Sequence, residues 1–542
     1  MKYVGITIGP IFKTIGEAIS PAGLWFGSYF FSTVTKKLCE KLDKIPNVKI
    51  FSPFYDSNSN QNPQEDGIGR YHDRILFSID DNTVTEEKLQ KIISAVKKEM
   101  AKKFGTFKTD KEIMLFIDNY LRIDFVILNE ETINKTINET INEIIGKSGK
   151  AGNNIAIILN DALDALELMA AGKGRTDMNL FAPFFAGQKD NRNCYIKGSE
   201  LFTDTKLNSQ LVISYSDYAS ELKSIEDIAS SQKKEESSSE EVPDGEVAPT
   251  RSEYYAVVNS DGDKVGTLLK DLCRGVDISQ QPDWINSFSK ACLKYAGEAA
   301  ELVGNYGGMT IYAGGDDLLF IAPVHSLFSL CSELDEMFKK TLKQGLKEVN
   351  LPDDSINVSL SFGVAVQYVK YPLYEALEKA RVQLYKAKES CGNRLGIELV
   401  KHSGKTVQLM VENEKLEAID NLIKYRATTN DQALESVLYN LQDTEIIFKL
   451  LFEKTAQNAF DLQEYKTRFL NNFNNPNQLA YHDYLGKIAK CFYDNYLKEY
   501  HKPVTKVKVD GVCTKRNISI GEYYTKELQA ILFLVKFWQG GK

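Results

Sequence analysis

The sequence predicts an α/β chain of the α+β kind, built from several domains, the clearest of which is a ferredoxin-like sheet. Three observations lead there. At 542 residues the chain exceeds what one hydrophobic core organises, which suggests roughly three or four domains. Between Tyr254 and Ser390 strand and helix patterns follow one another as β-α-β-β-α-β, the order of a ferredoxin-like sheet with its helices on one face. From about Val411 onward, helical patterns dominate.

The apolar start from Tyr3 to Ile8 reads as a strand, and a second is expected near Ile123 to Leu128. Between them Thr83 with Glu86 forms a capping box ahead of a helix whose apolar face carries Leu89, Ile92, Ile93 and Val96. The sequons at Asn134 and Asn138 sit on a helix with Ile133, Ile137, Ile141 and Ile145 along one face. Ser230 to Thr250, rich in Ser and Glu with Pro243, Gly245 and Pro249, buries too little apolar surface to repay ordering and reads as a linker. After it come a strand at Tyr254–Val258, a helix at Cys292–Val303, and strands at Met309–Tyr312 and Leu318–Ala322 joined by Gly314-Gly315. A helix at Ser326–Val349, a strand at Asn357–Val366 and a helix at Leu373–Ser390 complete the unit.

Composition excludes several classes. With 43% hydrophobic and 26% charged residues the chain is globular, and no uncharged apolar run approaches the ~20 residues that span a bilayer. The N-terminus lacks a secretory pattern, so a cytoplasmic protein without a membrane partner is expected. Eight cysteines are dispersed, whereas zinc sites draw on pairs two to four residues apart. A formal charge of -8 argues against strong nucleic-acid binding by this chain alone. The local exception is His501 to Arg516, which holds Lys502, Lys506, Lys508, Lys515 and Arg516.

The chemistry gathers at two edges of the ferredoxin-like sheet. Asp261 and Asp263 follow its first strand, and Asp316 and Asp317 occupy the hairpin turn; in this fold that strand and the hairpin are central neighbours. Such a cluster of acids repels itself unless a cation sits in it, and hard oxygen ligands point to magnesium or manganese. Two such ions ~4 Å apart can stabilise the attacking and leaving oxygens of phosphoryl transfer. Gly314 and Gly315 permit a positive-φ turn and the close approach of a triphosphate. A lone Gly-Gly-Asp-Asp turn is usually an ordinary hairpin, and a lone Lys388 a solvated helix lysine. Here they occur together with Ser260-Asp261-Gly262-Asp263 upstream and Gly392-Asn393 downstream.

Tyr312-Ala313-Gly314-Gly315-Asp316-Asp317-Leu318-Leu319, followed by Ser361-Phe362-Gly363 and Ala387-Lys388, closely resembles the second palm domain of the large polymerase-cyclase subunit of type III CRISPR effector complexes. Ile6-Thr7-Ile8-Gly9-Pro10-Ile11 and Leu24-Trp25-Phe26-Gly27-Ser28-Tyr29 resemble the opening of the first palm in Cmr-type (III-B) members. The resemblance implies two adenylyl-cyclase-like palms: a degenerate, acceptor-side one over residues 1–150 and the active one over 251–405. A helical insertion and acidic linker at 151–250 would separate them, and a C-terminal helical domain at 406–542 would follow. It further implies an antiviral nucleotidyltransferase, activated by target RNA, that turns ATP into a second messenger. Asp261, Asp316 and Asp317 would be catalytic and hold two Mg2+ or Mn2+ ions, while Gly262, Gly314, Gly315, Lys388, Ser361, Gly9 and Ser28 would bind nucleotide. Partners would be other Cmr-type subunits, guide RNA and target RNA.

The departures matter. Phe12 and Gly23 stand where the family has Gln and Asp, close to the acceptor base. The acceptor is therefore either a second ATP, giving cyclic oligoadenylate, or S-adenosylmethionine, giving its AMP conjugate. Only Cys194 stands where many members carry a four-cysteine zinc site, so no zinc is expected. With the palm motif beginning at Gly9, the family's N-terminal histidine-aspartate nuclease domain is not expected, and His72-Asp73, in a chain with five histidines, reads as a surface pair of Asp73 with Arg74. Trp25 and Tyr29, at i and i+4, read as helix core. The competing readings are a non-catalytic RNA-complex scaffold, against which the retained acids argue, and a diguanylate-cyclase-like enzyme, whose turn ends in Glu-Phe where this chain has Asp317-Leu318.

Overall fold

A computed structural model of the chain describes residues 1–16, 18, 21–57, 68–80, 85–102, 110–136, 154–170, 224–231, 253–347, 356–424, 432–473, 482–498, 504–509, 512–517 and 520–538. Cys194, the Thr83 cap, Asn138 with Ile137, Ile141 and Ile145, Val349, His501 and all but the first two linker residues lie outside that set.

The N-terminal part is built on β1 (Lys2–Gly9), α1 (Ile11–Gly16), α2 (Pro21–Leu42), β2 (Val48–Ser52), β3 (Arg74–Ile79), α3 (Glu86–Lys102), α4 (Asp110–Tyr120) and β4 (Arg122–Asn129). The strands pair antiparallel in the order β2-β3-β1-β4, which is the ferredoxin-like arrangement. Side chains on β1 alternate between two covers. Val4, Ile6 and Ile8 share a cluster with Leu24, Phe31, Val34 and Leu38 of α2. Tyr3, with Leu76 of β3, instead meets Ile155, Leu159 and Leu163 of α5 (Ile155–Ala170). Both faces being covered explains why β2 and β3 read as short apolar runs and escape a search for alternation.

After the short α6 (Ile225–Ala229) comes the second sheet. Its elements are β5 (Tyr254–Asp263), α7 (Val265–Leu272), α8 (Gln281–Asn305), β6 (Met309–Gly314), β7 (Asp317–Pro323), α9 (Leu327–Gly345), β8 (Ser359–Tyr368), α10 (Leu373–Glu389), β9 (Arg394–Val400) and β10 (Thr406–Glu412). The order is β10-β9-β8-β5-β7-β6, so β5 lies between β8 and β7 as the motif requires. The sheet runs through the β9–β10 hairpin to Glu412, beyond position 405. The expectation of helices on one face needs correction. Ala256, Val258 and Phe320 pack with α8 and α9. Tyr255, Val257 and Ala365 pack on the opposite face with Leu373, Ala376 and Ala380 of α10. The cause is the parallel β8–β9 pair, whose crossover must pass over a face of the sheet.

That α10 face also meets the first sheet. Met309, Ile311 and Ile321 lie in one apolar cluster with Ile6 and Phe77, and Gly69 forms a parallel bridge with Tyr312 on the outer strand β6, with the Ala313 N–H donating to the Gly69 carbonyl at 3.0 Å. The C-terminal part comprises α11 (Leu416–Lys424), α12 (Gln432–Asp443), α13 (Glu445–Ala456), α14 (Leu462–Asn471), α15 (His482–Phe492), a hairpin of β11 (Val504–Val509) and β12 (Val512–Asn517), and α16 (Ile520–Trp538). Its core is aromatic, with Phe448 on Phe469 and Phe452 on Phe492 at centroid distances of 5.5 and 5.2 Å. Trp538 anchors it to the second sheet by donating to the Val324 carbonyl at 2.7 Å. Among the described residues no helix is long and apolar enough to cross a membrane.

Candidate active site

The β6–β7 turn is tight, with Gly314 paired to Asp317 and Gly315 at φ 72°, a conformation that favours glycine. The two glycines serve different ends. A Cβ on Gly315 would meet nothing, so that side is open to a ligand, whereas one on Gly314 would lie 2.1 Å from the Tyr312 hydroxyl. Tyr312 fills the space expected for phosphate at Gly314. Gly262 lets the turn come close to β5: a Cβ there would lie 2.7 Å from Oδ2 of Asp316.

Asp261, Asp316 and Asp317 do converge. Burial first, then the Asp261 charge, raises the Asp316 carboxyl to about 6. Asp317 opens onto solvent, yet the protein crowded around it, then the Asp316 and Asp261 charges, lifts its carboxyl well above the usual range, and it hydrogen-bonds Asp261. Lys388 answers this charge. Its Nζ lies 2.8 Å from Oδ2 of Asp261 and donates to the Gly262 carbonyl at 2.6 Å. Three hard oxygen donors, made costly by their mutual charge and already drawing in an ammonium, suit a divalent cation. Among the described residues no group of three acidic, imidazole or thiol side chains forms a finished metal cage. Lys388 stands against the position such a cage would use.

Asp263 has another part. It is buried, accepts from Ser359 Oγ at 2.9 Å, Ser361 Oγ at 2.8 Å and the Asn393 N–H at 2.6 Å, and lies 3.6 Å from Lys388 Nζ. Ser361, expected at the nucleotide, is fully buried and committed to Asp263. The turn it clamps is unusual in that Cys391, Gly392 and Asn393 all have positive φ. A Cβ on Gly392 would come within 2.4 Å of the Asp263 carboxyl carbon.

A cavity of about 740 Å³ lies between the two sheets. The second sheet and α10 contribute Asp261, Asp317, Tyr312, Arg381, Tyr385 and Lys388; the first contributes Ser28, Phe31, Ser32, Tyr71 and Asp73. Ser28 is 3% exposed and its hydroxyl has no partner among the described residues, as expected of a group awaiting a ligand. Gly9 is not among the residues lining this cavity. A smaller cavity of about 330 Å³ lies across the turn, lined by Arg70, His72, Asp316 and Asp317 among others. The expected Asp73–Arg74 surface pair is replaced: Arg74 bridges to Asp164 and Glu167 of α5 while Asp73 faces the large cavity. His72, crowded by protein that lowers its pKa to about 4, sits 3.2 Å from Ser52 Oγ. Trp25 stacks on Tyr29 at 5.2 Å and is buried, as helix core. The Phe12 side chain lies outside what is described, and Gly23 is a buried residue of α2.

The residues missed from the sequence are Tyr71, Asp73, Tyr312, and Tyr374 and Tyr385 on α10. A signal existed for the last two, which lie on one helical stripe with Lys388; in the structure both line the large cavity while 48% and 64% exposed.

Residues 254–396 match the family model for the second palm domain of Cas10/Cmr2, and residues 3–106 match that for the N-terminal part of the CRISPR-associated protein Cmr2. The Cmr2 subunit of the CRISPR Cmr system of Pyrococcus furiosus is 32% identical over 171 residues, a match covering 28% of this chain and 19% of that protein. Among solved structures, the type III-B Cmr-beta complex bound to cognate target RNA contains a chain similar in fold, with a TM-score of 0.53 at 12% identity over 99% of this chain and 83% of the other. A Csm1-Csm4 cassette in complex with cA4 matches at a TM-score of 0.47 and 11% identity, over 90% of this chain and 69% of the other. One family model thus falls on each of the two ferredoxin-like sheets, and over both the chain is similar to Cas10/Cmr2.

Proposed function

We propose that the chain is the nucleotidyltransferase subunit of a type III CRISPR effector, converting ATP into a nucleotide messenger when the complex, with its other Cmr-type subunits and guide RNA, binds target RNA. The observation that carries this reading is the cavity of about 740 Å³ with the Asp261, Asp317 and Lys388 side chains on one wall and, on the other, the Ser28 hydroxyl, which has no partner among the described residues. Its volume falls in the range, about 300 to 1,000 Å³, that small-molecule sites occupy.

Asp261, Asp316 and Asp317 would hold two Mg2+ or Mn2+ ions. Bound there, such ions would offset the carboxylate charge and polarise the α-phosphate. The chain's own residues do the rest. Gly315 leaves room for the triphosphate against the turn, and Lys388 offers an ammonium to its oxygens. Tyr385, exposed on the cavity wall, gives a base a flat surface. The first palm holds the acceptor, and proximity of this kind is worth up to roughly 7 to 11 kcal/mol. A second ATP there leads to oligoadenylate; S-adenosylmethionine there leads to an AMP conjugate.

The test is to incubate the assembled complex with labelled ATP and target RNA and resolve products by mass, with and without S-adenosylmethionine. An oligoadenylate ladder that the cofactor leaves unchanged assigns ATP as acceptor, and one new adduct assigns the conjugate. Absence of any product under both conditions overturns the reading in favour of a scaffold.

A further inference from the structure

We infer that Lys388 is a built-in counter-ion that occupies the cation position of this site until a nucleotide draws it off, so that metal and nucleotide enter as a pair. The inference rests on the reading that Asp261, Asp316 and Asp317 hold metal. It starts from geometry. The ammonium lies 2.8 Å from Asp261 Oδ2, 2.6 Å from the Gly262 carbonyl and 3.6 Å from Asp263 Oδ1. A primary ammonium has three N–H bonds, and here three oxygens of one strand end surround it.

The placement is built into the fold. Gly363 and Gly396 are register partners on β8 and β9, and a Cβ on either would run into the α10 backbone, at 2.0 Å from the Ala380 carbonyl and 2.8 Å from the Gln383 carbonyl. The helix thus rests directly on the sheet. Just past its end, Asp263 holds the Asn393 N–H at 2.6 Å. Lys388 is therefore pinned from both sides within reach of Asp261.

A divalent ion arriving alone meets a positive charge already on its ligand. To bind, it must push that ammonium off the Asp261 carboxylate and the Gly262 carbonyl. A nucleotide changes the exchange, because its phosphate oxygens receive the ammonium as the metal takes the carboxylates. The side chain is 26% exposed and lines the large cavity, so it has space to swing.

Mn2+ binding to the full chain, read from the electron paramagnetic resonance signal of the free ion, tests this. Without nucleotide, Lys388→Met should bind Mn2+ about tenfold tighter than the unaltered chain, a gain equal to about 1.4 kcal/mol. Lys388→Arg, which keeps the charge, should not. A non-hydrolysable ATP analogue should tighten Mn2+ binding in the unaltered chain and do so less in Lys388→Met. Lys388→Gln repeats the measurement should the methionine variant melt early. Equal Mn2+ affinity in the unaltered chain and both neutral variants overturns the inference while leaving the metal site standing. No Mn2+ binding in any of them, with or without the analogue, overturns the metal reading itself and the inference with it.

Discussion

Asp261 and Asp263 share one face of β5 by strand alternation, yet one side chain is 39% exposed and the other 6%. The difference is depth: Asp263 lies beneath the Cys391–Asn393 turn and Asp261 at the cavity. From sequence the two are equivalent, because nothing local announces that a turn more than a hundred positions away will close over one of them. That Asp316 and Asp317 meet Asp261 was legible because the strand ending in Asp261 and the hairpin are central neighbours in this kind of sheet. Replacing both by alanine should lower nucleotide synthesis by at least about a thousandfold, since the lost charge stabilisation is worth several kcal/mol. The melting temperature should not fall, because two strained carboxyls leave with it. Product analysis and a thermal melt of the same preparation check both halves. At Gly392 the expectation is reversed. Alanine there meets Asp263 with φ at 74°, so Gly392→Ala should cost about 2 kcal/mol or more in a denaturant titration.

The decisive element is α10. The sequence places it over Leu373–Ser390, and it runs from Leu373 to Glu389, because its apolar period and its Gly-Asn stop are both local. Which face of the sheet it covers was not local, since that follows from the parallel β9 strand, whose alternation of Leu395, Ile397 and Leu399 went unread beside the helical patterns after it. Gly363→Ala should lift α10 from the sheet and carry Lys388 with it. The expected result is a loss of about 3 kcal/mol or more in stability together with weaker nucleotide binding, measured by chemical unfolding and calorimetric titration. On α16, crowding by protein raises Glu527 to about 8, partly offset by Lys415 and Arg394, with Glu412 adding to the rise. Its folded value thus lies above its unfolded one, so the folded chain holds the extra proton. Stability contributed this way is full below about 4.5, the unfolded value, and declines as pH rises through about 8. Melts between pH 5 and about 9 should show that decline, and Glu527→Gln should flatten it by on the order of 2 kcal/mol.

At the scale of the molecule, the two sheets share one core, in which Val257, Ile311 and Ile321 pack with Ile6 and Phe77. Calorimetry should therefore find both palms melting in one transition, and Ile311→Ala should lower that transition by about 2 to 5 kcal/mol instead of splitting it. Within each sheet most elements are local enough for sequence to suggest, although β2, β3 and β9 escaped. The seam between the sheets is made of long-range contacts that periodicity does not encode, and the Ser28 and Asp73 walls of the cavity come from it. One contact on that seam protects a sheet edge. The segment at Gly69 pairs with β6, the last strand of its sheet, through the Ala313 N–H. An outer strand with unpaired N–H and C=O groups is a template for self-association. The first palm thus acts as a guard on its neighbour's edge, and a fragment beginning near residue 253 should form oligomers that light scattering detects where the full chain forms none.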